Sequence, residues 1–239
     1  MTMRVFHDGP LVVGDDVALA SDEHHYLRRV RRARAGAAIE ILDGRGGKVV
    51  ASLVRIDDRG ATATIEQTIE PVTTPMLELW LGIPDATACL VAITSATELG
   101  CTAIVLVRTA HGTAAVPSAA RVDRVIRAAM RQCGRPTPPE IRGPIALDAL
   151  LNAHELGCGA FAWERLREDS PKNRRGASED EPISPRLLVG PEGGLTDDEA
   201  MRCRARGMQA LGLGPWTLRT ETAVTAGLGR MRARLSPTS

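Results

Sequence analysis

Two short segments in the last third of the chain combine glycine, proline and charged residues in an order that could build a ligand site. The first, Leu187–Glu199, reads LLVGPEGGLTDDE, and the second, Leu211–Ala223, reads LGLGPWTLRTETA. Each predicts a buried strand, a glycine–proline loop and the first turn of a helix. Because the carboxyl ends of parallel strands meet at one edge of a sheet, we expect the two loops to lie side by side and form a cleft.

The glycine loop of the first segment lacks the chemistry of a phosphate site. Its glycines are not followed by the lysine of a Walker loop, and they do not have the G-x-G-x-x-G spacing of a dinucleotide loop. Thr196 and Glu199 form a capping-box pattern, and Asp197–Glu199 put three acids where a helix start would otherwise bind an anion. The loop is therefore expected to hold a neutral or positive ligand. The alternative is an ordinary strand-to-helix turn that binds nothing.

The second segment carries two charged residues, Arg219 and Glu221, at the predicted start of the last helix. The rest of that segment is largely apolar. A functional interpretation aims Arg219 into the cleft, where it would meet negative charge that develops during a reaction. The alternative is an ion pair between Arg219 and Glu221 or another neighbour.

Taken together, the two segments resemble the signature loops of the bacterial 16S ribosomal RNA (uracil-N3) methyltransferases, the RsmE type of the SPOUT superfamily. In coarse layout the resemblance covers nearly the whole chain. It implies S-adenosylmethionine as cofactor, whose positive sulfonium and lack of phosphate suit the glycine loop. Trp163 and Glu164 fall near the third cofactor-facing loop of that family. By position in the motifs, the resemblance implies cofactor contacts from Leu188, Gly190, Pro191, Glu192, Gly193, Gly194, Leu211, Gly212, Leu213, Gly214 and Leu218.

The implied reaction methylates uracil N3, which is a weak acid and must lose its proton to attack a methyl group. Negative charge then spreads to the flanking carbonyl oxygens. An arginine can stabilise that charge, and a carboxylate can accept the proton or position the base. Arg219 and Glu221 are the catalytic candidates. Because N3 lies on the Watson–Crick edge, the target must be unpaired or extruded from its helix.

A basic run near the N-terminus, HHYLRRVRRAR, is the candidate RNA-binding segment. Arginines on or just after a helix can contact phosphates of ribosomal RNA, and the family motif usually carries arginine at Arg32. The alternative is a solvated basic face, as most charge runs are. The candidate contacts are Arg28, Arg29, Arg32 and Arg34.

The pattern of strands and helices predicts two domains of different class. Residues 1–72 carry several short strands with glycine-rich turns and one helix with Ser21 as its N-cap, which indicates a small β-barrel; the resemblance makes it PUA-like and RNA-binding. Residues 73–239 alternate buried strands with helices, which predicts an α/β domain with a parallel sheet. The resemblance implies a SPOUT-type methyltransferase domain with a trefoil knot, acting as a homodimer. The polar stretch from Arg167 to Pro185 predicts a surface loop.

Bulk composition excludes several other classes of protein. The 239 residues carry a formal net charge of +1, and of 30 basic residues only Lys48 and Lys172 are lysines, so 28 are arginines. The five cysteines are scattered without a C-x-x-C pair, which favours a reducing cytoplasm and no metal site. No signal peptide or membrane span is expected.

The chain departs from the family pattern at three places. Asp85–Ala88 stand where basic residues and glycine are usual, Ala110–Gly112 replace a Glu-Arg-Ser-like stretch, and Arg131 stands where an acid is usual. We expect these departures to lie away from the cofactor loops and to affect substrate positioning. They leave open a retargeted enzyme, or a non-catalytic RNA-binding paralogue that acts in ribosome assembly.

Overall fold

The computed structural model describes residues 2–70, 72, 75–112, 114–153, 159–165 and 185–235. The chain divides into two compact units. The first comprises Met1–Thr73 with Arg127–Pro138, and the second comprises Thr74–Ile126 with Pro139–Ser239. The domain limits of 1–72 and 73–239 stay a prediction. The predicted surface loop from Arg167 to Pro185 lies, apart from its last residue, outside the described residues.

The first unit is built on a curled, PUA-like sheet of five strands in the order β1-β3-β4-β5-β2. Strand β1 runs parallel to β3, and the remaining neighbours are antiparallel. In β4 the buried Val49, Ala51 and Leu53 alternate with more exposed residues, so one face of the sheet forms the core of this unit. The strands are β1 (Arg4–Phe6), β2 (Asp16–Ala18), β3 (Ala38–Leu42), β4 (Lys48–Ile56) and β5 (Ala61–Thr68).

The helix near the N-terminus is capped differently than predicted. Helix α1 (Ser21–His25) continues into a π-helical turn, Tyr26–Val30. The prediction that Ser21 is the N-cap is wrong, since Ala20 holds that position and no side chain caps the helix. Two residues after the turn, Arg32 has a φ of +53°, in the left-handed region that favours glycine.

The second unit contains an all-parallel sheet of six strands in the order β11-β9-β10-β6-β7-β8. Its strands are β6 (Glu78–Gly82), β7 (Ala103–Arg108), β8 (Glu140–Ala146), β9 (Ala160–Ala162), β10 (Arg186–Val189) and β11 (Gln209–Leu211). The helices that follow α1 are α2 (Ala86–Glu98), α3 (Ala119–Cys133), α4 (Leu147–Ala153), α5 (Asp197–Ala205) and α6 (Thr220–Leu235). The predicted fold class, a PUA-like sheet domain followed by a SPOUT-type parallel-sheet domain, is confirmed; the knot stays a prediction.

The core of the second unit fixes the strand ends that carry the loops. Trp80, Phe161 and Leu188 are fully buried in one apolar cluster with residues of α4 and α5. Near the start of β6, the buried Glu78 accepts hydrogen bonds of 2.5 Å from Arg142 of β8 and 2.7 Å from Arg186 of β10. Paired charges of this kind tie strands together, because breaking the pair would leave a buried charge without a partner.

Strand order corrects one expectation about the two loops. Strands β10 and β11 follow each other in the chain, but β9 lies between them in the sheet. Leu188 of β10 and Ala210 of β11 both pair with Phe161 of β9. The glycine loop and the second loop are therefore separated by the residues that follow β9. Strand β8 and helix α4 were not predicted, and β8 carries charges and a Gly143-Pro144 pair that hide its strand character.

Candidate active site

A cleft opens at the carboxyl ends of the three adjacent strands β9, β10 and β11. It encloses about 650 Å³, part of it open to solvent. The loops after all three strands supply its walls, and the start of α6 closes one side through Thr220 and Ala223. This is the edge at which parallel α/β sheets bind ligands.

Most of the predicted cofactor residues line this cleft. Those that line it are Gly190, Pro191, Glu192, Gly193, Gly194, Leu213, Gly214 and Leu218. Leu188 lies instead in the core. Leu211 accepts a hydrogen bond of 3.0 Å from the backbone N–H of Trp163, and the carbonyl of Gly212 accepts one of 3.0 Å from Arg230. Leu211 and Gly212 do not line the cleft themselves, but the carbonyl of Leu211 holds the backbone of Trp163, which does.

The glycines of the first loop are needed for its shape. A Cβ on Gly190 would come within 2.9 Å of the Gly194 carbonyl carbon, and Gly194 itself has a φ of +67°. Backbone atoms cannot move aside for a side chain as a flexible side-chain end can. The loop after β10 therefore folds back on itself as only glycine allows.

Helix α5 holds the far end of this loop through the predicted capping box, which the structure confirms. Thr196 Oγ1 accepts a hydrogen bond of 3.1 Å from the Glu199 N–H, and a carboxylate oxygen of Glu199 accepts one of 2.9 Å from the Thr196 N–H. The other Glu199 oxygen accepts the N–H of Ala110 at 2.8 Å. Glu199 thus joins the loop after β7 to the start of α5.

Two of the three departures from the family pattern lie at the glycine loop, so the expectation that they lie away from the cofactor loops is wrong for these two. The N–H of Asp85 donates to Glu192 Oε1 at 2.8 Å, and His111 Nδ1 lies 3.2 Å from the carbonyl oxygen of Gly194. Since a carbonyl oxygen only accepts, this contact requires the proton on Nδ1. The segments that carry Asp85 and His111 follow β6 and β7, so they reach the same sheet edge as the loop.

Asp85 is also the N-cap of α2, a role that its position before the helix could have shown. Its side chain accepts hydrogen bonds from Thr87 and Ala88, and these two N–H groups, Ala88 first, hold the pKa of Asp85 below its usual value. Burial, with Asp85 and Glu192 adding to it, raises the pKa of the Cys89 thiol to about 11. Cys89 is therefore a neutral thiol at physiological pH and no candidate nucleophile.

Among the described residues, the charged groups that line the cleft are all acidic. Glu164 and Glu192 contribute carboxylates, and the lining within the described residues includes no lysine, arginine or histidine. A phosphate-bearing ligand would meet repulsion from these carboxylates and find no cationic side chain among the described lining residues. A ligand with a positive centre fits this set.

Arg219 and Glu221 flank the cleft at the start of α6. Arg219 is exposed and Glu221 is half-buried. Neither side chain forms an ion pair within the described residues, so the alternative of a structural pair between them has no support there. Thr220, between them, is buried, and its hydroxyl donates to the Gly190 carbonyl at 3.3 Å. Sequence reasoning missed Thr220, which ties the start of α6 to the glycine loop.

Comparison with protein families decides the identity of this fold. Residues 72–232 match the model of the RNA methyltransferase domain, and residues 19–66 match that of the RNA methyltransferase PUA domain. The chain belongs to the RsmE-type RNA methyltransferase family. The loops described above lie within the residues that match the methyltransferase domain.

Individual relatives agree with this assignment. Ribosomal RNA small subunit methyltransferase E of Rickettsia conorii is 28% identical over 96% of this chain and 94% of its own. The Mycobacterium tuberculosis protein of the same name is 30% identical over 87% of this chain and 82% of its own. A crystal structure of the Neisseria gonorrhoeae protein of that name, bound to S-adenosyl methionine, has a TM-score of 0.81, with 27% identity and 98% of both chains covered.

The RsmE-type PUA unit carries the predicted RNA-binding arginines. Arg29, Arg32 and Arg34 are exposed, whereas Arg28 is half-buried and paired with Asp58. In the same unit, Arg131 donates to the buried Glu23 at 2.5 Å. The arginine at the third departure from the family pattern therefore has a structural task, which is to neutralise a carboxylate in the helix that precedes the basic run.

Two further features bear on the kind of site. The described residues contain no group of three or more His, Cys, Asp or Glu side chains that could hold a metal ion. Among the described helices, none is long and apolar enough to cross a membrane.

Proposed function

We propose that this RsmE-type RNA methyltransferase transfers the methyl group of S-adenosylmethionine to uridine N3 in the 16S ribosomal RNA of the small ribosomal subunit. The relatives named above act on small-subunit ribosomal RNA by their names, and the Neisseria structure contains S-adenosyl methionine. Activity on ribosomal RNA would take place in the cytoplasm. The proposal includes a homodimer, which light scattering of the purified protein tests directly.

The observation that carries the cofactor assignment is the cleft lined by carboxylates and apolar groups. Glu164 and Glu192 provide negative charge for a sulfonium, and the glycine loop offers backbone groups to the polar edges of an adenosine. Leu213, Leu218 and the buried wall at Trp163 provide apolar contact for the adenine ring. When bound, S-adenosylmethionine supplies an electrophilic methyl group.

The residues at the start of α6 would serve the reacting base. Arg219 would donate to a uracil carbonyl oxygen, which gains negative charge as N3 loses its proton. Glu221 would accept that proton or orient the N3–H toward a water. The bond from Thr220 to Gly190 would keep both side chains in register with the loop that holds the cofactor. The exposed Arg29, Arg32 and Arg34 would bind phosphates of the RNA.

The test uses small ribosomal subunits from a strain that lacks the gene. Purified protein and S-adenosylmethionine should restore N3-methyluridine in 16S ribosomal RNA, measured by mass spectrometry of its nucleosides. Arg219→Lys is the matched variant, because it keeps the charge but loses the planar fork. Methylation of another base or position would show a retargeted enzyme. Binding to the particles without any methyl transfer would support the non-catalytic paralogue instead.

A further inference from the structure

Trp216 is exposed in a way that the fold does not explain. The chain has three tryptophans, and all three lie in the described residues. Trp80 is 1% exposed and Trp163 6%, whereas Trp216 is 79% exposed. Large aromatic side chains normally bury most of their surface, so an indole left in solvent points to a ligand.

The two tryptophans of the cleft occupy opposite environments. Trp163 forms part of the buried wall, where it packs edge-on against Phe161 with ring centroids 6.1 Å apart and lies 5.6 Å from the Arg204 guanidinium. Trp216 also lines the cleft, but it makes no ring contact within the described residues. It therefore stands at the solvent side of the cleft and contributes nothing to the core.

The chain around Trp216 presents it to whatever enters from solvent. Gly214, with a φ of +123°, and Pro215 precede it. Thr217 and Leu218 line the cleft after it, and the exposed Arg219 follows. A guanidinium three residues from an exposed indole is a pairing that suits a nucleic acid, since the cation binds phosphate or carbonyl oxygens and the indole stacks on a base.

We propose that Trp216 stacks on an unpaired nucleobase of the RNA substrate at the mouth of the cleft. This inference rests on the proposed function, because it takes the enclosed part of the cleft as the cofactor site and assigns the exposed rim to the RNA. An indole stacks on any base, so Trp216 contributes affinity and orientation, while the choice of the methylated base is made deeper in the cleft. Trp216 is thus a positioning residue that acts on the RNA.

Tryptophan fluorescence provides the first test, since acrylamide reaches Trp216 far better than the two buried indoles. Oligouridylate should quench the emission and protect it from acrylamide. An abasic oligoribonucleotide of equal length carries the same phosphates without bases, and it should have little effect. Trp216→Ala should abolish the response to oligouridylate, and S-adenosylmethionine alone should leave the acrylamide accessibility of Trp216 unchanged.

Kinetics on small ribosomal subunits provide the second test. Trp216→Ala should raise KM for the particles about tenfold, while kcat and the Kd for S-adenosylmethionine change less than about twofold. Trp216→Phe should recover most of the affinity, because a smaller ring still stacks. This split between KM and kcat distinguishes contact with the RNA from a general loss of structure.

Three results would overturn the inference. An unchanged KM for the particles in Trp216→Ala would show that Trp216 does not contact the RNA. A weakened Kd for S-adenosylmethionine, with protection by the cofactor alone, would show that the indole covers the cofactor. If Trp216→Ala changes the protein from dimer to monomer in light scattering, a second copy of the chain covers the indole. If the wild-type protein methylates no RNA but oligouridylate still protects Trp216, the proposed function fails while the stacking stands.

Discussion

The Asp85 N–H donates a hydrogen bond to Glu192 of the glycine loop. We therefore expect the protein to bind S-adenosylmethionine more weakly when the Glu192 side chain is shortened. Glu192→Ala removes a 2.8 Å hydrogen bond that joins the loop after β10 to the start of α2. It also removes one of the two carboxylates that line the cleft among the described residues. Both losses should weaken binding of S-adenosylmethionine, the first by loosening the loop and the second by reducing the attraction for the sulfonium.

The magnitude follows from the exposure of the bond. Both residues are exposed, so the bond should contribute about 1 kcal/mol, near the middle of the usual range for a net hydrogen bond. That free energy corresponds to about a fivefold increase in Kd. The lost charge adds a further increase that shrinks as salt rises, because the cleft is partly open to solvent.

Calorimetric titration with S-adenosylmethionine at low and high salt measures both parts. Glu192→Gln keeps the oxygen acceptor and removes only the charge, so its effect should nearly vanish at high salt, while the effect of Glu192→Ala persists. Glu98→Ala, which removes an exposed carboxylate at the end of α2, is the matched control and should bind like wild type. Wild-type affinity in both Glu192 variants would refute the reasoning.

Three further predictions test other parts of the molecule. Arg219→Ala should lower kcat by about 100-fold with little change in cofactor Kd; an equal loss of both in single-turnover and calorimetric measurements would mean that Arg219 holds the cofactor. Asp85→Ala should be less stable than wild type at neutral pH. The difference should be largest above the unfolded-state pKa of Asp85 and shrink as pH falls through its lowered folded-state pKa, since the charge-dependent part of the cap is lost when the folded protein binds the proton. Thermal unfolding across acidic pH checks this, and a difference that stays constant with pH would contradict it. Replacing Arg29 and Arg32 with alanine should reduce the slope of log K against log salt by about 2 in RNA-binding titrations. Arg28→Ala should change the slope less, because Arg28 is already paired with Asp58. An unchanged slope in the double variant would show that the basic run is only a solvated face.

Local patterns in the sequence were sufficient where the decisive physics is local. The capping box at Thr196 and Glu199 depends on residues within one turn, and the sequence predicted it correctly. The buried strands of the second unit were recognisable in the sequence as continuous apolar runs, which are typical of strands covered on both faces. Ser21 was misread because a serine at the first helical position resembles an N-cap in sequence.

The sequence misled where a residue's partner lies far along the chain. Strand β8 looked unlike a strand because Arg142 is charged, yet the charge is matched by Glu78, 64 residues away. Asp85 looked like the loss of a basic residue, and only the fold shows that its N–H meets Glu192. Both contacts depend on sheet order, which periodicity along one strand does not encode.

By itself, the sequence determined that two glycine–proline loops follow strands, that the first lacks the motifs of a phosphate loop, and that the chain has the motifs of its family. These properties follow from backbone geometry and charge within single segments. Only the tertiary structure decided that β9 separates the two strands and brings Trp163 and Glu164 between their loops, that Thr220 links α6 to Gly190, and that Trp216 stands in solvent while Trp163 is buried. The physical reason is that strand pairing across the sheet decides which loops are adjacent and which side chains are buried. These pairings join residues that are far apart in sequence, so a local sequence pattern does not predict them.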